Sequence, residues 1–164
     1  MSKTGIAALR SRAKHESLSS VRSALVAVAL AVVFLGAFAG ASDARAEPPR
    51  QVDAADLPAM IAQGVKVVDI RRADEWRDTG VISGSLLLTA VDADGRLVAE
   101  FPEALMKAVD RDGPVVVICR SGNRSAMIAR MMSERGGYTH VVDAAGGIRA
   151  WIDAGNPLTP CPGC

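Results

Sequence analysis

VVVICRSGNRSA, residues 115–126, is the stretch whose reading decides the fold. It opens with four aliphatic residues, three of them valine, and β-branched side chains suit a pleated strand. The run does not alternate with polar residues, so both faces of that strand are expected to be buried, as in a parallel sheet covered by helices. The strand delivers Cys119 at its carboxyl end. Arg120, Ser121, Gly122, Asn123, Arg124 and Ser125 follow. Beyond them Ala126, Ile128, Ala129 and Met132 recur at helical spacing until Gly136-Gly137. The segment therefore predicts strand, short loop and helix, with a thiol at the turn.

Working outward, VKVVDI (65–70), SLLL (85–88) and THVVD (139–143) read as further strands. DAADLPAMIAQG predicts a short helix starting near Asp56, because Pro58 is tolerated in a first turn, and closing at Gly64. RRADEWRDTG reads as a short surface helix ended by Gly80. FPEALMKAVDRDG places Phe101, Leu105 and Ala108 or Val109 on one helical face, and GIRAWIDAG is the last helix. EPPRQV (47–52) reads as a linker or short edge segment. Strands alternating with helix-sized segments give an α/β domain.

The first 46 residues differ in kind. Basic residues Lys3, Arg10, Arg12, Lys14 and Arg22 precede an uncharged apolar run over 24–41, and Ala44-Arg45-Ala46 follows. A basic lead, an apolar core and an A-x-A site are the marks of a secretory signal peptide. The expectation is export to the periplasm or beyond; the rival is an uncleaved membrane anchor holding the domain outside the cytoplasm. The leader holds six of the 19 Lys+Arg and two of the 18 Asp+Glu, leaving 13 basic and 16 acidic side chains and a net charge of −3. That balance argues against nucleic acid as a partner. A membrane is a partner only if the leader stays uncut. The divisions are then 1–46 leader, 47–52 linker, 53–158 domain and 159–164 tail.

All three cysteines lie beyond the leader. Cys161 and Cys164, in the terminal CPGC, have the spacing of a disulfide or redox pair. Cys119 is left odd, and free thiols are unusual in an oxidising compartment. A buried inert cysteine is the plain alternative. Its neighbours point instead to chemistry: in an α/β sheet ligands gather at the carboxyl ends of strands, and a following helix presents free N–H groups. Arg120 and Arg124 add charge, Gly122 lets the loop turn, and Ser121 and Asn123 suit turn or cap positions. Such surroundings favour an ionised sulfur beside a second anion. No metal-ligand cluster is legible. His140, the one histidine after the leader, reads as a surface or core-edge residue.

C-x4-R, from Cys119 to Arg124, resembles the active loop of the single-domain rhodaneses. Three further segments match in order: VVDIR (67–71) with Glu75-Trp76, GVISGS (80–85), and GGIRAW (146–151) followed by Gly155-Asn156-Pro157. The resemblance implies a five-stranded, mainly parallel sheet with helices on both faces, and sulfur transfer without a cofactor. Cys119 would carry a persulfide taken from a donor such as thiosulfate and yield it to a thiol or cyanide. Backbone N–H groups of 120–124 would cradle the sulfur, Arg120 and Arg124 would hold the donor's oxyanion, and Ser125 would cap the helix. Asp69 and Arg71 match a D-x-R element read as loop support. Val81 departs from the family's usual histidine. A carrier that binds sulfane sulfur or an anion without turnover is the second reading. A phosphatase or arsenate reductase, whose loop on this fold is one residue longer, is the third. A protein thiol partner, or relay of sulfur to Cys161 or Cys164, would extend the first.

Overall fold

Strand and helix alternate along the chain: β1 (Arg50–Asp53), α1 (Leu57–Ala62), β2 (Lys66–Asp69), α2 (Ala73–Thr79), β3 (Leu86–Leu87), α3 (Phe101–Ala108), β4 (Val115–Ile118), α4 (Asn123–Glu134), β5 (Val141–Ala145) and α5 (Gly147–Asp153). This is a computed structural model, and it describes residues 48–53 and 56–164. The expected leader lies outside the described residues. Among them, no helix is long and apolar enough to cross a membrane.

The five strands form one parallel sheet in the order β1-β5-β4-β2-β3. β4 lies in the middle and all four of its residues are buried, as an uninterrupted valine run requires. Alternation along it splits the core in two. Val115, Val117 and Cys119 point to the side built by Phe101 and Leu105 of α3 and Ile128, Ala129 and Met132 of α4. Val116 and Ile118 point to the side built by Leu57 of α1 and Ile148 and Trp151 of α5. Helices cover both faces, as expected.

Two features concern the ends of the domain. Residues 50–53, which overlap the stretch read as a linker or short edge segment, form an edge strand that pairs with β5 in register Arg50↔Val142 to Asp53↔Ala145. RQVD buries only Val52, and an edge strand with one buried residue carries no alternation to read. The tail is also tied down. Thr159 and Val81 exchange backbone hydrogen bonds of 2.8 and 2.9 Å, Arg77 Nη1 donates to the Cys164 carbonyl at 2.5 Å, and Trp151 Nε1 donates to the Pro157 carbonyl at 3.0 Å. Cys161 and Cys164, with Cα atoms 5.5 Å apart, are joined as a disulfide.

Candidate active site

Cys119 continues β4 by one residue and is 1% exposed. The chain then needs to reverse into α4 within a few residues. Gly122 makes this possible: at φ +93 it occupies the left-handed region as the residue before the helix. In that position its N–H donates to Cys119 Sγ at 3.2 Å. The thiol pairs with Ser125 Oγ at 3.5 Å, and Ser125 Oγ in turn donates to the Gly122 carbonyl at 3.0 Å. Ser125 is therefore not the expected helix cap. It is the third residue of α4, fully buried, and holds the loop carbonyl while touching the sulfur. Ser121 and Asn123 are exposed, and neither caps α4 with its side chain.

The loop rests on the start of α5. Ile148 N–H donates to the Cys119 carbonyl at 2.8 Å and Arg149 N–H to the Arg120 carbonyl at 3.2 Å. Gly147, at φ +63, lets the two backbones approach: a side-chain carbon there would fall 2.7 Å from the Arg120 carbonyl carbon. The GG pair of the sequence is thus a close main-chain contact with the thiol loop.

The arginines divide their work differently from expectation. Arg124 does not face the mouth as a free cation. It forms a two-pronged pair with Glu75, Nη1 to Oε2 at 2.8 Å and Nη2 to Oε1 at 2.6 Å. Glu75 also accepts the Arg72 N–H at 3.1 Å, closing the first turn of α2. Glu75 entered the sequence reading only through the Glu75-Trp76 match, with no role given to it, and α2 reads there as a surface helix, yet it is buried at the junction of α2 and α4. No local signal marks it out: Asp74 and Asp78 stand in the same short helix, and its partner lies 49 residues away. Arg120 is exposed and has no ion pair among the described residues. It shares a cavity of about 240 Å³ with Glu75, Arg72 and Arg149. Arg149 is likewise exposed and unpaired among the described residues; the cavity also carries the carboxylates of Asp74 and Asp78, and Cys119 does not line it.

Asp69 and Arg71 act one step further back. Both are buried, and Asp69 accepts from Arg71 Nε at 2.9 Å and Nη2 at 2.7 Å. The guanidinium spends its remaining donors on Thr79 Oγ1 at 2.6 Å, the Gly80 carbonyl at 2.8 Å and the Glu75 carbonyl at 3.3 Å. The D-x-R element therefore fixes α2, and α2 presents Glu75 to Arg124. Its support of the loop is indirect. Among the described residues no group of His, Cys, Asp and Glu is placed to hold a metal.

Burial alone would push the Glu75 carboxyl up, but hydrogen bonds from Arg124 and the Arg72 N–H, with the charges of both arginines, leave it below the usual value of 4.5. The Arg124 guanidinium is raised, first by its bond to Glu75 and also by the Cys119 sulfur. A lowered carboxyl contributes stability that is complete above its unfolded pKa and is lost as pH falls through the folded one. Glu75→Gln is expected to cost about 1–2 kcal/mol at neutral pH, the charge-assisted bonds being partly screened by solvent. It should also flatten the loss of stability below pH 4.5; urea titrations at pH 7 and pH 3.5 measure both.

The family profile described as Rhodanese-like domain matches residues 53–154. The chain belongs to the rhodanese-like domain family. Thiosulfate sulfurtransferase GlpE of Pseudomonas fluorescens is 33% identical over 104 residues, covering 63% of this chain and 81% of that protein. Adenylyltransferase and sulfurtransferase uba4 of Aspergillus fumigatus is 36% identical over 86 residues, 49% of this chain and 17% of that protein, so this rhodanese-like chain spans under a fifth of it. Among solved structures, a rhodanese-related protein from Thermoplasma volcanium superposes with a TM-score of 0.56 at 33% identity, covering 68% of this chain and 99% of the other. The α/β fold with its five-stranded parallel sheet is that of these rhodanese-like neighbours.

Proposed function

We propose that the chain is an exported sulfurtransferase that moves sulfane sulfur from a donor such as thiosulfate to a thiophilic acceptor through Cys119. One observation carries the reading: the Cys119 sulfur stands at the carboxyl end of the central strand, within reach of the Gly122 N–H, in a loop closed by Arg124. The sulfurtransferase names borne by its relatives agree with it.

In the first step the Cys119 thiolate attacks the outer sulfur of thiosulfate. A new S–S bond forms, the donor's S–S bond breaks, and sulfite leaves with its electron pair. In the second, cyanide or a thiolate attacks the outer sulfur of the persulfide; the Cys119 thiolate departs and the loop is restored. Electrons balance without an added oxidant. The Gly122 N–H offers a hydrogen bond to the sulfur, and Arg120, exposed in the same loop, is the cation offered to the sulfonate end of the donor. Arg124 contributes charge while Glu75 holds it in place. The carrier reading is favoured by the deep burial of Cys119, which restricts access by large acceptors.

Intact mass of the protein before and after thiosulfate, with cyanide added last, tests the proposal. A gain of one sulfur atom that vanishes with cyanide and is absent in Cys119→Ser supports transfer. No gain overturns it. A gain that persists through many equivalents of acceptor assigns the carrier role instead. Export is tested on the same preparation from intact cells: a chain beginning at Glu47 supports cleavage after Ala46, and an unprocessed cytoplasmic chain overturns it.

A further inference from the structure

An apolar hollow beside a buried polar group lies away from Cys119. Arg111 precedes β4 and Tyr138 precedes β5, so both stand at the amino ends of the strands, whereas Cys119 stands at the carboxyl end of β4. α4 joins the two regions: its first residues belong to the thiol loop, and its last turns reach the hollow about 18 Å along the axis.

The hollow has a volume of about 450 Å³, in the range of small-molecule sites. Phe101, Leu105 and Met106 of α3 and Met131 of α4 give it an apolar wall. Met106 is half exposed, at 51%, so part of that wall is open to water. Tyr138, 4% exposed, also lines it, and its hydroxyl is buried with no hydrogen-bond partner. Burial pushes that hydroxyl's pKa up, opposed by the charge of Arg111 and by the approach of its guanidinium donors, which leaves it a neutral donor at ordinary pH. Buried hydroxyls normally find a partner; this one has none from the protein.

Two cations complete the lining. Arg111 and Arg135 are exposed and neither forms an ion pair among the described residues. The Arg111 side chain instead makes a 3.2 Å contact to Met106 Sδ, a weak acceptor. An apolar wall, an idle buried donor and two uncompensated guanidinium groups at one hollow match a ligand with a hydrocarbon body and a single acidic head. We infer that this hollow binds a small amphiphilic carboxylate, its tail against Phe101, Leu105 and the methionines and its carboxylate between Arg111 and Arg135. The site is independent of the sulfur chemistry at Cys119.

Calorimetric titration of the full chain with octanoate, kept below its micellar concentration, tests this. Octanoate should bind saturably at one site, 1-octanol several-fold more weakly, and octylammonium not at all. Arg111→Gln with Arg135→Gln should weaken octanoate at least tenfold, and Tyr138→Phe a few-fold. Both arginines are exposed, so the double variant should melt as the parent does and load sulfur at Cys119 to the same extent. Absence of saturable binding at millimolar octanoate overturns the inference. So does octanol binding as tightly, or an affinity unchanged in the double arginine variant. Any of these leaves the Cys119 reading standing.

Discussion

Asp69→Ala is expected to lower unfolding stability by about 3–5 kcal/mol, the cost of leaving a buried charge without its partner. The Arg71 guanidinium is 1% exposed and has Asp69 as its carboxylate. Its other contacts, Thr79 Oγ1 and the carbonyls of Glu75 and Gly80, are neutral acceptors that do not offset a full charge. Adding Arg71→Met to Asp69→Ala should recover part of the loss by removing the stranded cation. A double variant as unstable as the sum of the single ones would overturn this account. Because Arg71 fixes α2, the Asp69 variant should also load sulfur more slowly. Urea denaturation and the rate of mass gain with thiosulfate read the two effects.

That coupling shows which parts of the molecule were legible in the chain. The VVVIC run announced a central strand because burial on both faces removes polar residues from it, and all its valines are buried. Proline and glycine punctuation placed α1 and α2 to within a residue or two. The rest depended on partners distant in sequence. β1 exists because β5 lies beside it. Arg124 meets Glu75 across 49 residues, and no local pattern distinguishes a guanidinium bound for a carboxylate from one facing solvent. Reading Arg124 as a holder of the donor's oxyanion was natural from C-x4-R; the pair with Glu75 gives its guanidinium a carboxylate partner that C-x4-R does not show. Ser125 was placed correctly at the loop and given the wrong bond, since its hydroxyl turns to the Gly122 carbonyl.

Gly147→Ala carries the second large effect. The residue sits at φ +63, where a side chain costs about 1–2 kcal/mol. The added carbon would also meet the Cys119 carbonyl oxygen and stand 2.8 Å from the Ser121 nitrogen. Crowding of this kind adds about 1–3 kcal/mol, for a combined loss of about 2–5 kcal/mol. The relief available is for the thiol loop to shift, which would move the Gly122 N–H off the sulfur. Sulfur loading should fall at least tenfold even at temperatures where the variant is folded. Gly155→Ala is a control: it shares a positive φ, at +77, but has open space around it, so it should lose stability from strain alone and load sulfur normally.

The loop at Cys119 is held to α5 through main-chain bonds, Ile148 N–H to the Cys119 carbonyl and Arg149 N–H to the Arg120 carbonyl. The side chains of Arg120 and Arg149 take no part in those bonds and are exposed. Substitutions at these two positions therefore leave the peptide hydrogen bonds of the loop untouched. The charge carried beside the loop and the shape of the loop itself are written in separate chemical alphabets, one of side chains and one of peptide groups.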